Sequence, residues 1–119
     1  MTTFDLRRLH LIDHPLAACK LSVLRAKTTP PATFRAIVRD LSFMLGYEAL
    51  RTLPLEDVTI TTPLEETKAQ RIAEPTPVIV PILRAGMGMV DGLCSLLPEV
   101  GVGVVGMYRD EETHKAHQY

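Results

Sequence analysis

The run from Pro77 to Leu83, which reads PVIVPIL, constrains the fold of this chain more than any other feature. It is apolar and rich in β-branched residues, as is typical of a strand that is covered on both faces of a parallel sheet. Pro81 interrupts the run, and because proline donates no hydrogen bond to a sheet, we expect it near the strand's end. A second apolar run, 102–108, predicts another buried strand.

The segment between these runs completes a βαβ unit. Arg84-Ala85-Gly86 follows the first strand directly, and a helix is predicted from Met87 to Leu97, where Pro98 ends it. Strand, glycine-containing turn, helix and strand in this order predict a right-handed crossover between parallel strands. We therefore assign residues 76–119 to the start of a parallel α/β core within a single, incomplete domain spanning residues 1–119.

Two helices are predicted before this core, after an irregular or extended segment over residues 1–13. Asp13-His14-Pro15 is a helix-start signal, and the first helix is expected from Pro15 to about Lys27. We expect three of its side chains to point inward: Leu16, Leu21 and Leu24. The second helix is expected over residues 32–50, because apolar residues recur there at a spacing of 3.6. Its apolar stripe suits either core packing or a partner surface.

A β-hairpin arm is predicted between the second helix and the core. Residues 57–61 alternate at period two, and Thr62-Pro63 marks a turn. Residues 64–67 are expected to pair back as a short second strand, whereas residues 68–74 are polar and expected to be exposed. Together with the two helices, this arm accounts for residues 1–75.

Composition is that of an ordinary globular protein. Of the 119 residues, 46% are hydrophobic and 23% are charged, and the formal net charge is −1. This balance, with basic residues scattered along the chain, argues against a nucleic-acid footprint. No apolar run approaches the roughly 20 residues that a membrane span needs, and the N-terminus lacks the apolar core of a signal peptide. We expect a cytoplasmic protein that binds neither nucleic acid nor membranes.

Metal-binding and disulfide signals are weak. Cys19 and Cys94 lie far apart and form no CxxC pair, so we expect two buried, unpaired cysteines rather than a disulfide framework or a zinc site. His114 and His117 lie three residues apart in a polar tail without further ligands nearby. We therefore assign no metal-ligating residue.

Two arginines stand where ligands bind in α/β sheets, at the carboxyl ends of parallel strands. Arg84 follows the first predicted strand and Arg109 follows the second. An arginine fork binds phosphate oxygens through two parallel hydrogen bonds and stays charged at any working pH. Gly86 allows a close backbone approach, and the helix that follows points N–H groups at an anion. The pattern predicts a polyphosphate-like ligand between Arg84 and Arg109, although strand-end arginines are often only solvated surface residues.

Four segments resemble the uracil phosphoribosyltransferase family, in order and over nearly the whole chain. The segments are VPILRAGMGMVDG (80–92), VVGMYRDEETHKAHQY (104–119, clearest through Thr113), HPLAACKLSVLRAKTT (14–29) and FRAIVRDLSFMLGYEAL (34–50). The resemblance is to the uracil enzymes rather than to phosphoribosyltransferases in general. It implies the N-terminal part of the phosphoribosyltransferase parallel sheet, preceded by the two helices and the hairpin arm.

The resemblance also implies an activity and a site. The family transfers the ribosyl 5-phosphate group from 5-phosphoribosyl 1-diphosphate (PRPP) to uracil, which gives UMP and diphosphate in pyrimidine salvage. Mg²⁺ accompanies PRPP, and activation by GTP is a further possibility. Arg84 and Arg109 match family positions that bind PRPP, with Ala85 and Gly86 as a supporting loop. The resemblance suggests a cis peptide bond at Leu83-Arg84 and a homo-oligomer.

The family's ribose-phosphate loop and uracil site match no segment of this sequence. We therefore assign no catalytic residue, and we expect the 119 residues alone to be inactive. The alternative is a non-catalytic interaction module or a nucleotide-sensing module of the same fold.

Several side chains near the arginines have two interpretations. The acidic residues 110–112 form a solvated loop, or else they orient Arg109 or meet hydrated Mg²⁺. Tyr108 is expected to pack in the core, with covering the ligand as the alternative. Lys20, Arg25 and Lys27 are candidates to reach the ligand of a neighbouring subunit.

Overall fold

The computed structural model describes residues 9–119 and has a mixed α/β fold, as predicted. The three α-helices are α1 (Pro15–Arg25), α2 (Pro31–Ala49) and α3 (Met87–Cys94), with a short 3₁₀ helix at Leu50–Thr52. The strands are β1 (Leu55–Thr61), β2 (Glu66–Ile72), β3 (Val78–Ile79), β4 (Ile82–Leu83), β5 (Gly101–Val102), β6 (Val105–Arg109) and β7 (Ala116–Gln118). Residues 9–14 have no regular structure, and the rest of the predicted N-terminal segment lies outside the described residues.

Helix α1 begins where the sequence predicts. Nδ1 of His14 accepts a hydrogen bond from the Leu16 N–H at 3.1 Å, and Pro15 occupies the first turn. The prediction that Leu16 and Leu21 point inward is wrong, because they are 57% and 45% exposed. Helix α1 has no buried residue, so the prediction that Cys19 is buried is also wrong. An ion pair between Lys20 and Asp40, whose Nζ and Oδ2 lie 2.7 Å apart, ties α1 to α2.

Small residues bring α2 and α3 into close contact, and this contact forms the core. Ser42 on α2 is 1% exposed, and a Cβ added to Gly92 of α3 would lie 2.9 Å from the Ser42 Cβ and overlap the Arg39 carbonyl. At Gly46 a Cβ would overlap the Leu93 side chain. The apolar stripe of α2 therefore packs in part against α3, with Ile37 buried.

The hairpin arm is longer than predicted. Strands β1 and β2 pair antiparallel from Leu55↔Ile72 to Thr61↔Glu66, so β2 includes most of the segment 68–74 that was expected only to be exposed. Oγ1 of Thr62 accepts hydrogen bonds from the N–H groups of Leu64 and Glu65 and holds the turn. Leu64 at the tip of the arm is 95% exposed.

The predicted parallel pairing is confirmed and Pro81 lies at strand ends as predicted, but the two runs are largely exposed among the described residues rather than buried. Strand β3 pairs with β5, and β4 pairs with β6, both parallel. Pro81 lies between β3 and β4, and its carbonyl accepts a hydrogen bond from the Val105 N–H at 3.1 Å. Pro81 thus lacks a donor for the ladder, but parallel pairing is present both before it, in β3, and after it, in β4.

The polar tail contains a strand that the sequence did not reveal. Strand β7 pairs antiparallel with β6, from Met107↔Gln118 to Arg109↔Ala116. Tyr108 is 55% exposed and its ring stacks on His117 with 5.3 Å between centroids, so its predicted place in the core is wrong. Within residues 9–119, no helix is both long and apolar enough to cross a bilayer.

Candidate anion-binding site

A tight loop connects β4 to α3 and carries Arg84. The Leu83-Arg84 peptide bond is cis, as the resemblance suggested. The Gly86 N–H donates to the Ile82 carbonyl at 2.9 Å, and the Met87 N–H donates to the Arg84 carbonyl at 3.1 Å. These bonds fold the loop back on the end of its own strand and leave Arg84 and Ala85 exposed.

Gly86 is needed at this loop for a different reason from the one the sequence suggested. A Cβ at this position would lie 2.8 Å from both the backbone nitrogen and the carbonyl oxygen of Ile82. The close approach that glycine allows is therefore an approach to the preceding strand. The N–H groups of Gly86, Met87 and Met89 already donate within the turn. Consequently the start of α3 has fewer free donors for an anion than the sequence implied.

Arg109 lies on a strand that projects beyond β4. Leu83 at the end of β4 is level with Gly106 of β6, and Arg109 comes three residues later. At about 3.3 Å per residue, β6 extends roughly 10 Å past the end of β4. Arg109 is exposed and pairs with Ala116 of β7, which supports the projecting strand. Arg84 and Arg109 therefore lie at the carboxyl ends of adjacent parallel strands, at different heights.

Neither arginine of the pair has an ionic partner in the described residues. Within residues 9–119, Arg39, Arg51 and Arg71 each lie within 4.0 Å of a carboxylate, whereas Arg84 and Arg109, like the exposed Arg25 and Arg35, do not. A guanidinium without an internal carboxylate keeps its donors available for an external anion. The arrangement is thus suited to binding a phosphate or diphosphate group.

The acidic residues after Arg109 have different roles in the structure. Asp110 accepts hydrogen bonds from the Glu112 N–H and from the N–H and hydroxyl of Thr113. The hydrogen bonds from Thr113 hold the pKa of the Asp110 carboxyl below its usual value. Glu111 and Glu112 are exposed. Part of the cluster therefore shapes the loop rather than being merely solvated.

The His, Cys, Asp and Glu side chains of the described residues do not form a metal site by themselves. Among the described residues, no group of three or more His, Cys, Asp or Glu side chains is arranged to hold a metal ion. A Mg²⁺ ion carried by a diphosphate keeps several waters and needs only one or two carboxylates from the protein. Glu111 and Glu112, exposed beside Arg109, fit that lesser requirement.

Known proteins match this chain over nearly its whole length. The family model described as uracil phosphoribosyltransferase matches residues 11–119. The chain belongs to the uracil phosphoribosyltransferase family.

Relatives in this family are identical to this chain at about half of the aligned positions. The chain is 54% identical to the uracil phosphoribosyltransferase of Streptococcus sanguinis and 51% identical to that of Leifsonia xyli, each over 94% of its length. It covers 54% and 53% of those two proteins, so it spans about half the length of its relatives. The solved AQ2163 protein from Aquifex aeolicus superimposes with a TM-score of 0.84 at 35% identity, over 91% of this chain and 52% of that one.

The sequence predicted that both arginines lie at strand ends, but it did not predict strand β7, which supports Arg109. Strand β7, which pairs with Arg109, has no periodic pattern in the sequence. The spacing of Asp110 and Thr113 is the signal that was available, because an aspartate commonly binds the backbone two or three residues later in a turn. That ligands bind at Arg84 and Arg109 stays a prediction.

Proposed function

We propose that the protein built on this chain transfers the ribosyl 5-phosphate group from PRPP to N1 of uracil, which yields UMP and diphosphate. Family membership supports the reaction class. The observation that carries the proposal is the pair of exposed guanidinium groups, Arg84 and Arg109, at the carboxyl ends of adjacent parallel strands. This is the edge at which ligands bind in α/β sheets.

The two arginines would act on the leaving group. As the bond between the ribose carbon and diphosphate breaks, negative charge builds on the departing oxygens and positive charge builds on the carbon. Cations fixed in position before the reaction stabilise this developing charge without having to reorganise. Mg²⁺ would arrive as part of the PRPP complex and supply further charge neutralisation. Arg84 and Arg109 would bind and orient the diphosphate, and no proton transfer is required of either.

The proposal concerns the whole protein, because this chain spans about half the length of its relatives. Residues 9–119 offer the diphosphate side of the site. The family's ribose 5-phosphate loop and uracil site match no described segment. A non-catalytic or nucleotide-sensing module of the same fold is the competing function, and it would keep PRPP binding without turnover.

A kinetic assay tests this function. The native protein would be incubated with radiolabelled uracil, PRPP and Mg²⁺, and UMP formation would be measured for wild type, Arg84→Ala and Arg109→Ala. We expect each substitution to lower kcat/KM for PRPP roughly 10- to 100-fold, as for loss of a hydrogen bond to a charged group. Arg71→Ala is the matched control, because Arg71 pairs with Glu56 in the hairpin arm.

The outcomes separate the candidate functions. Unchanged kinetics in both Arg84→Ala and Arg109→Ala would contradict the site. A wild-type protein that binds PRPP but forms no UMP would favour the non-catalytic module.

Three further predictions accompany this function. A homo-oligomer formed through the hairpin arm and helices is supported by exposed Leu64, Leu16 and Leu21, and sedimentation would test it.

A cytoplasmic role in pyrimidine salvage would be tested by cell fractionation and by growth on uracil. Activation by GTP would be tested by adding GTP to the kinetic assay.

A further inference from the structure

The turn between β6 and β7 is held by one carboxylate oxygen. Oδ1 of Asp110 accepts hydrogen bonds from the Glu112 N–H at 3.1 Å, the Thr113 N–H at 2.7 Å and the Thr113 hydroxyl at 2.8 Å. Two backbone hydrogen bonds of 2.9 Å close the same turn. The Asp110 N–H donates to the Lys115 carbonyl, and the His114 N–H donates to the Asp110 carbonyl. His114 has a φ of 56°, a left-handed conformation that the turn requires.

This turn is attached directly to Arg109. Arg109 ends β6, and its cross-strand partner Ala116 begins β7 on the other side of the turn. Only three residue pairs join β6 to β7, and this end of the ladder extends past β4 with no parallel neighbour among residues 9–119. Short two-stranded ladders are only marginally stable. The turn therefore decides whether the backbone of Arg109 is held in one place.

We propose that Asp110, together with Thr113, is a positioning residue that fixes Arg109 for binding of the diphosphate group. The inference rests on the proposed function, which assigns Arg109 to that ligand. A cation that is held in place before the substrate arrives does not have to be ordered during binding. Asp110 acts through the turn and through Arg109, and it does not itself touch the diphosphate.

The hydrogen bonds of Asp110 argue against a direct role in binding Mg²⁺ through the same oxygen. A carboxylate oxygen has about two lone-pair sites, and Oδ1 of Asp110 already accepts from three donors. Binding a metal ion there would open the turn. Glu99 is exposed, precedes β5 at the amino end of the strands and has no side-chain hydrogen bond within the part of the chain that the structure describes, so it offers a matched control.

The first experiment measures the dissociation constant of PRPP, with Mg²⁺, from the native full-length protein by calorimetry. We expect Asp110→Ala to weaken binding roughly three- to thirty-fold, as for loss of a capping side chain. Asp110→Asn keeps a carbonyl acceptor at Oδ1 and should bind within about twofold of wild type. Glu99→Gln should be indistinguishable from wild type. Equal damage from Asp110→Asn and Asp110→Ala would overturn the inference, because the charge and not the turn would then matter.

A double-mutant cycle shows whether Asp110 acts through Arg109. If it does, Asp110→Ala should weaken PRPP binding less than about twofold when Arg109 is already alanine. Multiplication of the two single effects would overturn the inference. Should Asp110→Ala fail to fold, Thr113→Val carries the test. It removes one donor to Asp110, and we expect roughly two- to ten-fold weaker binding, which Thr113→Ser restores. An unchanged PRPP affinity in Thr113→Val would then count against the inference.

The same measurements distinguish this inference from the function on which it rests. Wild-type PRPP binding by Arg109→Ala would defeat the assignment of Arg109 to the diphosphate, which is the part of the proposed function on which the inference rests. Weakened binding by Arg109→Ala with normal binding by Asp110→Ala would defeat only the positioning role.

Discussion

Arg84 and Arg109 differ from Arg51 and Arg71 in what their side chains contact. Arg51 forms two hydrogen bonds with Glu48, which lower the pKa of that carboxyl, and Arg71 pairs with Glu56 across the hairpin. Arg84 and Arg109 have no such partner within residues 9–119 and lie at strand ends. The sequence predicted that these two residues lie at strand ends. Only the structure shows that none of the described carboxylates lies within 4.0 Å of either guanidinium group.

A second residue-scale feature is the glycine contact between α2 and α3. We predict that Gly92→Ala lowers the free energy of unfolding by about 1–3 kcal/mol, because the new methyl group would overlap the Arg39 carbonyl and crowd Ser42. Gly88→Ala on the same helix is the matched control. Its Cβ would lie 3.5 Å from Val38 Cγ1, an ordinary contact, so stability should hold or rise by up to about 1 kcal/mol. Urea denaturation of the native protein measures both, and equal stability of the two variants would contradict the packing described.

At the scale of elements, one ion pair ties α1 to α2. Lys20 donates a hydrogen bond to Asp40, and this bond holds the pKa of the Asp40 carboxyl below its usual value. Since the pKa is lower in the folded state than in the unfolded state, the pair stabilises the fold above the unfolded pKa of about 3.9. That stabilisation is lost as the pH falls through the lower, folded-state pKa.

We therefore predict a small, pH-dependent effect of Lys20→Met. Both side chains are about one-third exposed (32% and 36%), so at pH 7 the loss of unfolding free energy should stay below about 1 kcal/mol. The gap between wild type and variant should narrow as the pH falls from 5 towards 3. Thermal melts across this pH range measure it, with Lys27→Met, an exposed lysine just beyond α1, as control. A gap that is unchanged or wider at low pH would contradict the assignment.

The elements that the sequence predicted are those with a pattern of their own. Helix α2 has a period of 3.6, and the apolar runs around β4 and β6 are typical of buried parallel strands, so both were found within a few residues. Strand β7 has no such pattern, because it forms only through its ladder with β6 and the turn at Asp110. Pro81 divides the predicted strand into β3 and β4, yet its carbonyl still accepts a hydrogen bond from the Val105 N–H, which residue type alone does not reveal.

At the scale of the whole molecule, the described residues bury little apolar surface. Ile37, at 8% exposure, is the one buried hydrophobic side chain among residues 9–119. Val78, Val80 and Ile82 of the sheet region are 60%, 51% and 54% exposed. Parallel sheets are ordinarily covered on both faces, so this apolar face is suited to further contacts. For this reason, binding measurements belong on the native protein.

The measurement that tests the central claim most directly is calorimetric titration of magnesium diphosphate into the native protein. We predict that wild type and Arg71→Ala bind alike, whereas Arg84→Ala and Arg109→Ala each bind roughly ten-fold or more weakly. The double variant should show no detectable binding. Diphosphate affinity that stays at the wild-type level in Arg84→Ala and in Arg109→Ala would contradict the account.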